Sequence, residues 1–223
     1  MRAHYGHLRW WPGETPFEVC VGAILTQNTT WTSVERAIAG LKQAGLLDPR
    51  GLYALPEAEL AGWLRPTGYF NVKARRLRAF LRTLVGEFDA DLERLFAGAT
   101  AVVRARLLAI PGIGPETADS MLLYAGGHGS FVIDAYTKRI FSRHGWCAPD
   151  VAYAELQQLC ARALSEMPPT ATLDYWQDYH AQLVMVGKDF CRPRSPRCAE
   201  CPLRPLLPEG PLNAPLARHP RRE

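Results

Sequence analysis

Three stretches of this chain hold side chains whose types and spacing suit chemistry. The first, Leu108-Ala-Ile-Pro-Gly-Ile-Gly-Pro-Glu-Thr-Ala118, reads as two helices joined by a tight hairpin. Gly112 and Gly114 permit the positive φ that reverses a chain within a few residues, and Pro115 suits the first position of the next helix, where its missing N–H is no loss. Amides left free at such a turn and helix start face outward together and attract an anion, for which a DNA phosphate is the natural candidate. Gly-x-Gly alone would equally describe a plain helical hairpin; the full string is far more specific. The second stretch, Val132-Ile-Asp134-Ala-Tyr-Thr-Lys138, follows about twenty residues later with a single carboxylate. That carboxylate can do chemistry on a nucleotide held beside the hairpin, or cap the helix starting at Ala135. The third is Cys191-x6-Cys198-x2-Cys201. In a reducing compartment, cysteines point to metal or buried thiols more than to disulfides.

The elements that must position these groups read as helices almost throughout. Thr15 can cap a helix with Pro16 at its first position, whose apolar residues Phe17, Val21, Ile24 and Leu25 recur at helical spacing. Amphipathic segments follow at roughly 31–44, 56–64, 71–86, 91–97, 100–109, 115–126, 134–143, 151–166 and 172–188, and none alternates for long as a strand does. Short breaks at Gly45, Asp48-Pro49, Gly68 and Gly98 separate them, which fits an all-α fold with brief connections. From Pro208 the chain is rich in Pro and Arg and poor in apolar residues, so 208–223 is expected to be a disordered tail.

The 223 residues are 48% hydrophobic, ordinary for a globular protein with one large core or two small ones. With no apolar run long enough to span a bilayer and no leader-like segment, a cytosolic, nucleoid-associated protein without a membrane partner is expected. The net charge is +4, and only Lys42, Lys73, Lys138 and Lys188 among the 26 cations are lysines. Arginine forks onto phosphates, so this bias suits a nucleic-acid partner, although a GC-rich genome produces it too.

Taken in order, these motifs resemble the helix-hairpin-helix DNA glycosylases related to endonuclease III, over about Trp10 to Cys201. Ile24-Leu-Thr-Gln-Asn-Thr29 is similar to that family's loop that fills the hole left by an extruded base, and Thr67-Gly-Tyr-Phe-Asn-Val-Lys-Ala74 to its minor-groove wedge loop. The resemblance therefore implies base flipping in double-stranded DNA, with Gln27, Asn28 and Tyr69 as the plug, Gly112 and Gly114 on the backbone, and Asp134 as the catalytic carboxylate.

One position departs from the endonuclease III pattern. Members of the family that also cut the backbone carry a lysine where this chain has Glu116, because an amine can form a Schiff base with the sugar and a carboxylate cannot. Glu116 thus joins Asp134 as a candidate for the catalytic site, its plainer role being to favour the positive start of its helix. Lys138 is the other lysine to consider as a nucleophile. Trp10-Trp11-Pro12, with the Glu of Gly-Pro-Glu-Thr-Ala-Asp119, is similar to the 3-methyladenine glycosylase branch. In that reading Trp10, Trp11 and Trp31 line a pocket for a cationic alkylated purine, and Lys188 helps to shape it. Oxidised pyrimidines remain the competing substrates.

Cys191, Cys198 and Cys201 match the first three ligands of the family's [4Fe-4S] cluster, but Leu207 stands where the fourth belongs. His219, Cys147 or Cys160 are candidates to replace it; zinc, or a site that has been lost, are the alternatives. Arg192, Arg194 and Arg197 look like the family's basic cluster loop on DNA phosphates. Cys20 reads as simple core.

The resulting expectation is a monomer of two helical lobes, helix-hairpin-helix glycosylase in architecture with a C-terminal iron-sulfur cluster loop. Residues 20–128 form the hairpin-bearing lobe, residues 1–19 and 129–207 the cluster-bearing lobe, and Asp134 lies where they meet. Its activity would be excision of a damaged base by water, leaving an abasic site. The alternatives are a bifunctional glycosylase and AP lyase, or a catalytically weak DNA-binding or redox-sensing relative.

Overall fold

The computed structural model describes residues 1–9, 13–165 and 172–208, and among these every regular element is helical. The chain divides into two compact bodies, Arg9–Val132 with Met167–Gln177, and Met1–Leu8 with Ile133–Glu166 and Asp178–Glu223. The tail from residue 209, with His219, lies outside the described residues, as do Trp10 and Trp11.

In the larger body the order is α2 (Pro16–Leu25), α3 (Trp31–Gln43), α4 (Pro49–Ala54), α5 (Glu57–Trp63), α6 (Phe70–Phe88), α7 (Leu92–Phe96), α8 (Thr100–Leu108) and α9 (Pro115–Tyr124). The four-residue α1 (Arg2–Tyr5) precedes them and belongs to the smaller body. Helix α2 begins as its sequence dictates, with Thr15 Oγ1 accepting from Glu18 N at 3.1 Å and Pro16 in its first turn. The same device starts α4, where Asp48 Oδ1 accepts from Gly51 N at 2.8 Å ahead of Pro49. The Asp48-Pro49 dipeptide, expected as a break, does separate α3 from the next helix and also caps it.

Helix α2 is the hub of this body: Phe17, Cys20, Val21, Ile24 and Leu25 are buried, and α3, α6 and α9 pack around it. Such burial removes roughly 1.5–3 kcal/mol worth of apolar surface per large side chain from water. Helix α6 turns Leu77, Phe80, Leu81 and Leu84 inward at three- and four-residue spacing against this core. Because α2 is central, its cap and first turn go with the larger body, and the N-terminal piece of the smaller body ends at Leu8.

The smaller body holds α1, α10 (Ala135–Arg143), α11 (Tyr153–Ser165) and most of α12 (Thr172–Asp189), followed by two short 3-10 turns at Cys198–Glu200 and Arg204–Leu206. Helices α10 and α12 approach closely: a Cβ on Gly187 would lie 2.4 Å from the Tyr136 ring, so only glycine fits there. The N-terminal segment lies along α12, with Leu8 N donating to Asp178 Oδ1 at 2.9 Å, Gln182 Nε2 to Gly6 O at 2.6 Å and Tyr5 Oη to Asp189 Oδ2 at 3.0 Å. The first turns of α12 join the larger body through Gln177, whose Nε2 donates to Leu123 O at 2.7 Å.

Candidate functional site

The hairpin between α8 and α9 is held from behind and open in front. Ile110 and Ile113 are buried, while Pro111, Gly112, Gly114, Pro115 and Glu116 are exposed. Gly112 has φ 91°, and a Cβ there would meet Arg76 Cγ at 2.3 Å, so glycine is required for both conformation and space. Gly114 differs from expectation. It caps α9 in an extended conformation (φ −93°, ψ 178°) that any residue adopts, and a Cβ there would meet nothing. Only one of the two glycines turns the chain. The amides of Gly112 and Gly114 donate to no group among the described residues, which leaves them available to an anion.

Behind the turn lies a buried tie that the sequence did not reveal. Arg104 on α8 forks onto Asp119 on α9, Nε to Oδ1 at 2.8 Å and Nη2 to Oδ2 at 2.9 Å, and Ser130 Oγ donates to Oδ1 at 2.6 Å. Asp119 is fully buried. A bidentate, charge-assisted pair fixes both distance and angle between the two helices, so the hairpin amides are presented on a rigid frame.

Gln27, half-buried at the end of α2, also serves that frame. Its Nε2 donates to Gly112 O at 3.1 Å and to Thr117 Oγ1 at 3.0 Å, and its Oε1 accepts from Arg76. To enter a duplex it would have to exchange these bonds for others. Asn28 beside it is exposed, with φ 56°.

Between α5 and α6, the Thr67-Gly68-Tyr69 loop presents an aromatic ring. Gly68 and Tyr69 both have positive φ, 65° and 46°, and Tyr69 is 73% exposed. A non-glycine residue in the left-handed region costs of order 1–3 kcal/mol and persists where its surroundings over-determine it. Here Lys73 does so: its ammonium is buried and donates to Thr67 O at 2.6 Å, while Lys73 N bonds Tyr69 O at 3.0 Å. Burial, with Arg76 nearby, pulls the Lys73 ammonium below its ordinary range.

In the smaller body, Asp134 caps α10, with Oδ1 accepting from Thr137 N at 2.7 Å. The other oxygen, Oδ2, lies 3.7 Å from Nε2 of His180 on α12, and both side chains are largely shielded from water. Burial alone would push this carboxyl up, but His180 and the Thr137 amide more than offset it and hold it below the usual carboxylate range. The cap thus uses one oxygen and leaves the second facing an imidazole. His180, brought to Asp134 by the close packing of α12 on α10, had no local signal in the sequence.

The three cysteines of the loop after α12 line one small pocket together with Arg143, His144, Phe190 and Leu207. Arg143 Nη1 donates to Cys191 Sγ at 3.3 Å and to Arg192 O at 2.7 Å, and Arg139 Nε donates to Cys191 O. Burial raises the Cys201 thiol, as do the neighbouring Cys191 and Cys198. Among the described residues no three His, Cys, Asp or Glu side chains are gathered as a single ion requires. Cys147 and Cys160 do not line this pocket; burial pushes the Cys160 thiol up to about 12, with Cys147 adding to the effect. Arg192, Arg194 and Arg197 are exposed, and Arg197 is held by Glu200 and lies over the Phe190 ring.

Of the four residues expected to line a base pocket, Trp31 and Lys188 are among the described residues. Trp31 packs on α2 at Gly22 in the larger body, and Lys188 is exposed on α12 in the smaller body. Lys138 lies on α10, one turn beyond Asp134.

Residues 21–166 match the model of the HhH-GPD superfamily base excision DNA repair proteins. A Methanocaldococcus jannaschii protein provisionally named a DNA repair glycosylase is 43% identical over 202 residues, covering 90% of this chain and 89% of its own length. Among solved structures, the H. pylori 3-methyladenine DNA glycosylase MagIII, bound to 1,N6-ethenoadenine, superposes with a TM-score of 0.66 at 29% identity, over 80% of this chain and 87% of its own. A non-covalent endonuclease III–DNA complex gives 0.72 at 24% identity over 87% and 84%.

Proposed function

The chain belongs to the HhH-GPD superfamily of base excision DNA repair proteins and is a DNA N-glycosylase that acts on double-stranded DNA; from that premise we propose that it is monofunctional, uses water as nucleophile and leaves an abasic site. Glu116 carries this reading. It is exposed in the first turn of α9, immediately after the hairpin, at the position where the endonuclease III resemblance implies a lyase lysine. A carboxylate cannot form the imine that β-elimination needs.

In this reading the hairpin amides and the exposed arginines of the cysteine loop hold phosphates, and the rigid Tyr69 enters the stack as the base leaves it. As the N-glycosidic bond lengthens, positive charge grows on the sugar, and the ionised Asp134 stabilises it and orients the water that adds to C1′, the water's proton passing to solvent. The bonding electron pair leaves with the base. An N-alkylated purine carries a positive charge before cleavage and departs neutral, so it needs no strong general acid. The 29% identity to a 3-methyladenine glycosylase supports that substrate class.

The donor set of the cysteine loop fits an iron-sulfur cluster better than zinc: three thiols line one pocket, yet no three donors converge as a single ion demands. When bound, such a cluster would supply a cross-link that stiffens the loop bearing Arg192, Arg194 and Arg197.

The test uses duplexes carrying 3-methyladenine, an oxidised pyrimidine or a preformed abasic site, with strand breaks compared before and after hot alkali. Breaks at 3-methyladenine that appear only after alkali are expected. Borohydride trapping of the protein on DNA would overturn the water mechanism, and release of the pyrimidine alone would overturn the substrate class. Asp134→Asn should lower turnover by at least about 100-fold while leaving DNA affinity near that of the wild type.

A further inference from the structure

The pocket shared by Cys191, Cys198 and Cys201 contains one more ligand-forming side chain. Leu207 lines it at the position where a fourth thiolate would fall, and a leucine cannot bind iron. His144, at the C-terminal cap of α10, lines the same pocket and is only 8% exposed.

The imidazole is prepared for coordination. Its Nδ1 lies 3.0 Å from the carbonyl oxygen of Leu206. A carbonyl can only accept, so Nδ1 carries a hydrogen, and in the neutral ring the lone pair is then on Nε2. Holding one ring nitrogen on a backbone carbonyl is how proteins fix the tautomer and orientation of a metal-ligating histidine. Stacking on Trp146, with centroids 4.5 Å apart and planes at 29°, fixes the ring plane as well. The Leu206 bond also ties His144 to the residue next to Leu207, so the imidazole stands beside the missing thiolate's place. Cys147 and Cys160, the other sulfur donors considered, lie outside this pocket.

We propose that His144, through Nε2, is the fourth ligand of a [4Fe-4S] cluster otherwise held by Cys191, Cys198 and Cys201. This inference rests on the cluster reading given above. Imidazole is a good donor to iron, and as a neutral ligand it leaves the cluster one negative charge short of the four-thiolate form. The Arg143 guanidinium bonded to Cys191 Sγ acts in the same direction. Both changes favour the reduced state, so the potential is higher than that of a four-cysteine cluster in the same loop.

The experiment uses the full chain, produced with 15N-labelled histidine only, purified without oxygen and reduced with dithionite. Pulsed EPR should show a 15N nucleus coupled to the cluster, told apart from arginine and other backbone nitrogens because those remain 14N, whose quadrupolar lines differ. Iron analysis should give a four-iron stoichiometry. His144→Ala should lose the coupling and, on brief oxidation, one iron of four. His144→Ala with Leu207→Cys should restore the fourth iron at a lower potential than wild type. A four-iron cluster in the wild type with no histidine coupling would remove His144 as ligand and leave the cluster reading intact. Protein that binds zinc, or no iron after reconstitution, would defeat the cluster reading and this inference together.

Discussion

Replacing Asp119 by alanine tests whether the hairpin depends on its hidden tie. The substitution removes two charge-assisted bonds from Arg104 and one bond from Ser130. It also takes the carboxylate away from the Arg104 guanidinium. Removing one partner of a buried ion pair costs about 3–5 kcal/mol, chiefly because the other charge is left uncompensated. The Arg104 side chain is 27% exposed and regains some hydration, so the expected loss is toward the lower figure, about 3 kcal/mol. At roughly 2–4 °C per kcal/mol for a chain of this size, the melting temperature should fall by about 6–12 °C. Asp119→Asn, which still accepts hydrogen bonds, should lose about half as much. Arg104→Met with Asp119→Leu should lose less than either charge removed alone, since no charge is then stranded. Urea unfolding followed by circular dichroism and tryptophan fluorescence measures these differences, and equal m values would show that the same transition is compared. A loss under about 1 kcal/mol for Asp119→Ala would show that the pair does not hold the hairpin.

The glycines give a paired test: Gly112→Ala meets Arg76 and a φ of 91° and should cost about 2–4 kcal/mol, whereas Gly114→Ala should cost under about 1 kcal/mol. Equal losses in thermal unfolding would contradict the assignment of the turn to Gly112. Tyr69→Gly relieves a left-handed aromatic residue, so stability should be unchanged or higher by up to about 1 kcal/mol, while excision in single-turnover assays falls at least about tenfold. Retained excision would remove Tyr69 as the wedge. The Asp134 carboxyl lies below its ordinary value of about 4, so its contribution to stability is present above that pH and lost as pH falls through the lower native value. The acid limb of kcat/KM that reports Asp134 should therefore lie below about pH 4, and should vanish from the residual activity of Asp134→Asn. A limb centred above about pH 5 that Asp134→Asn abolishes would refute the depressed carboxyl.

Much of the framework was legible in sequence because it is local. Thr15-Pro16 starts a helix by capping whatever packs around it, the period of α6 displays its buried face, and the helix-turn-helix string at 108–118 carries its own glycine and proline punctuation. The cap at Asp134 was equally readable, since the carboxylate and the amide that it accepts are three residues apart. Asp48-Pro49 shows the limit even of local rules: the dipeptide marks a break, and the residues after it decide whether a helix also starts there.

What the sequence by itself determined, then, is the helical elements, the hairpin, the candidate carboxylate and the three-cysteine spacing. Tertiary structure alone decided which groups meet. Gln27 holds Gly112 and Thr117, Arg104 forks onto Asp119, His180 faces Asp134, and His144 joins the cysteines. The physical reason is the range of the interactions. Caps, turns and helical periodicity are set within a few residues, whereas hydrogen-bonded pairs between helices depend on how those helices pack, and no spacing along the chain records that.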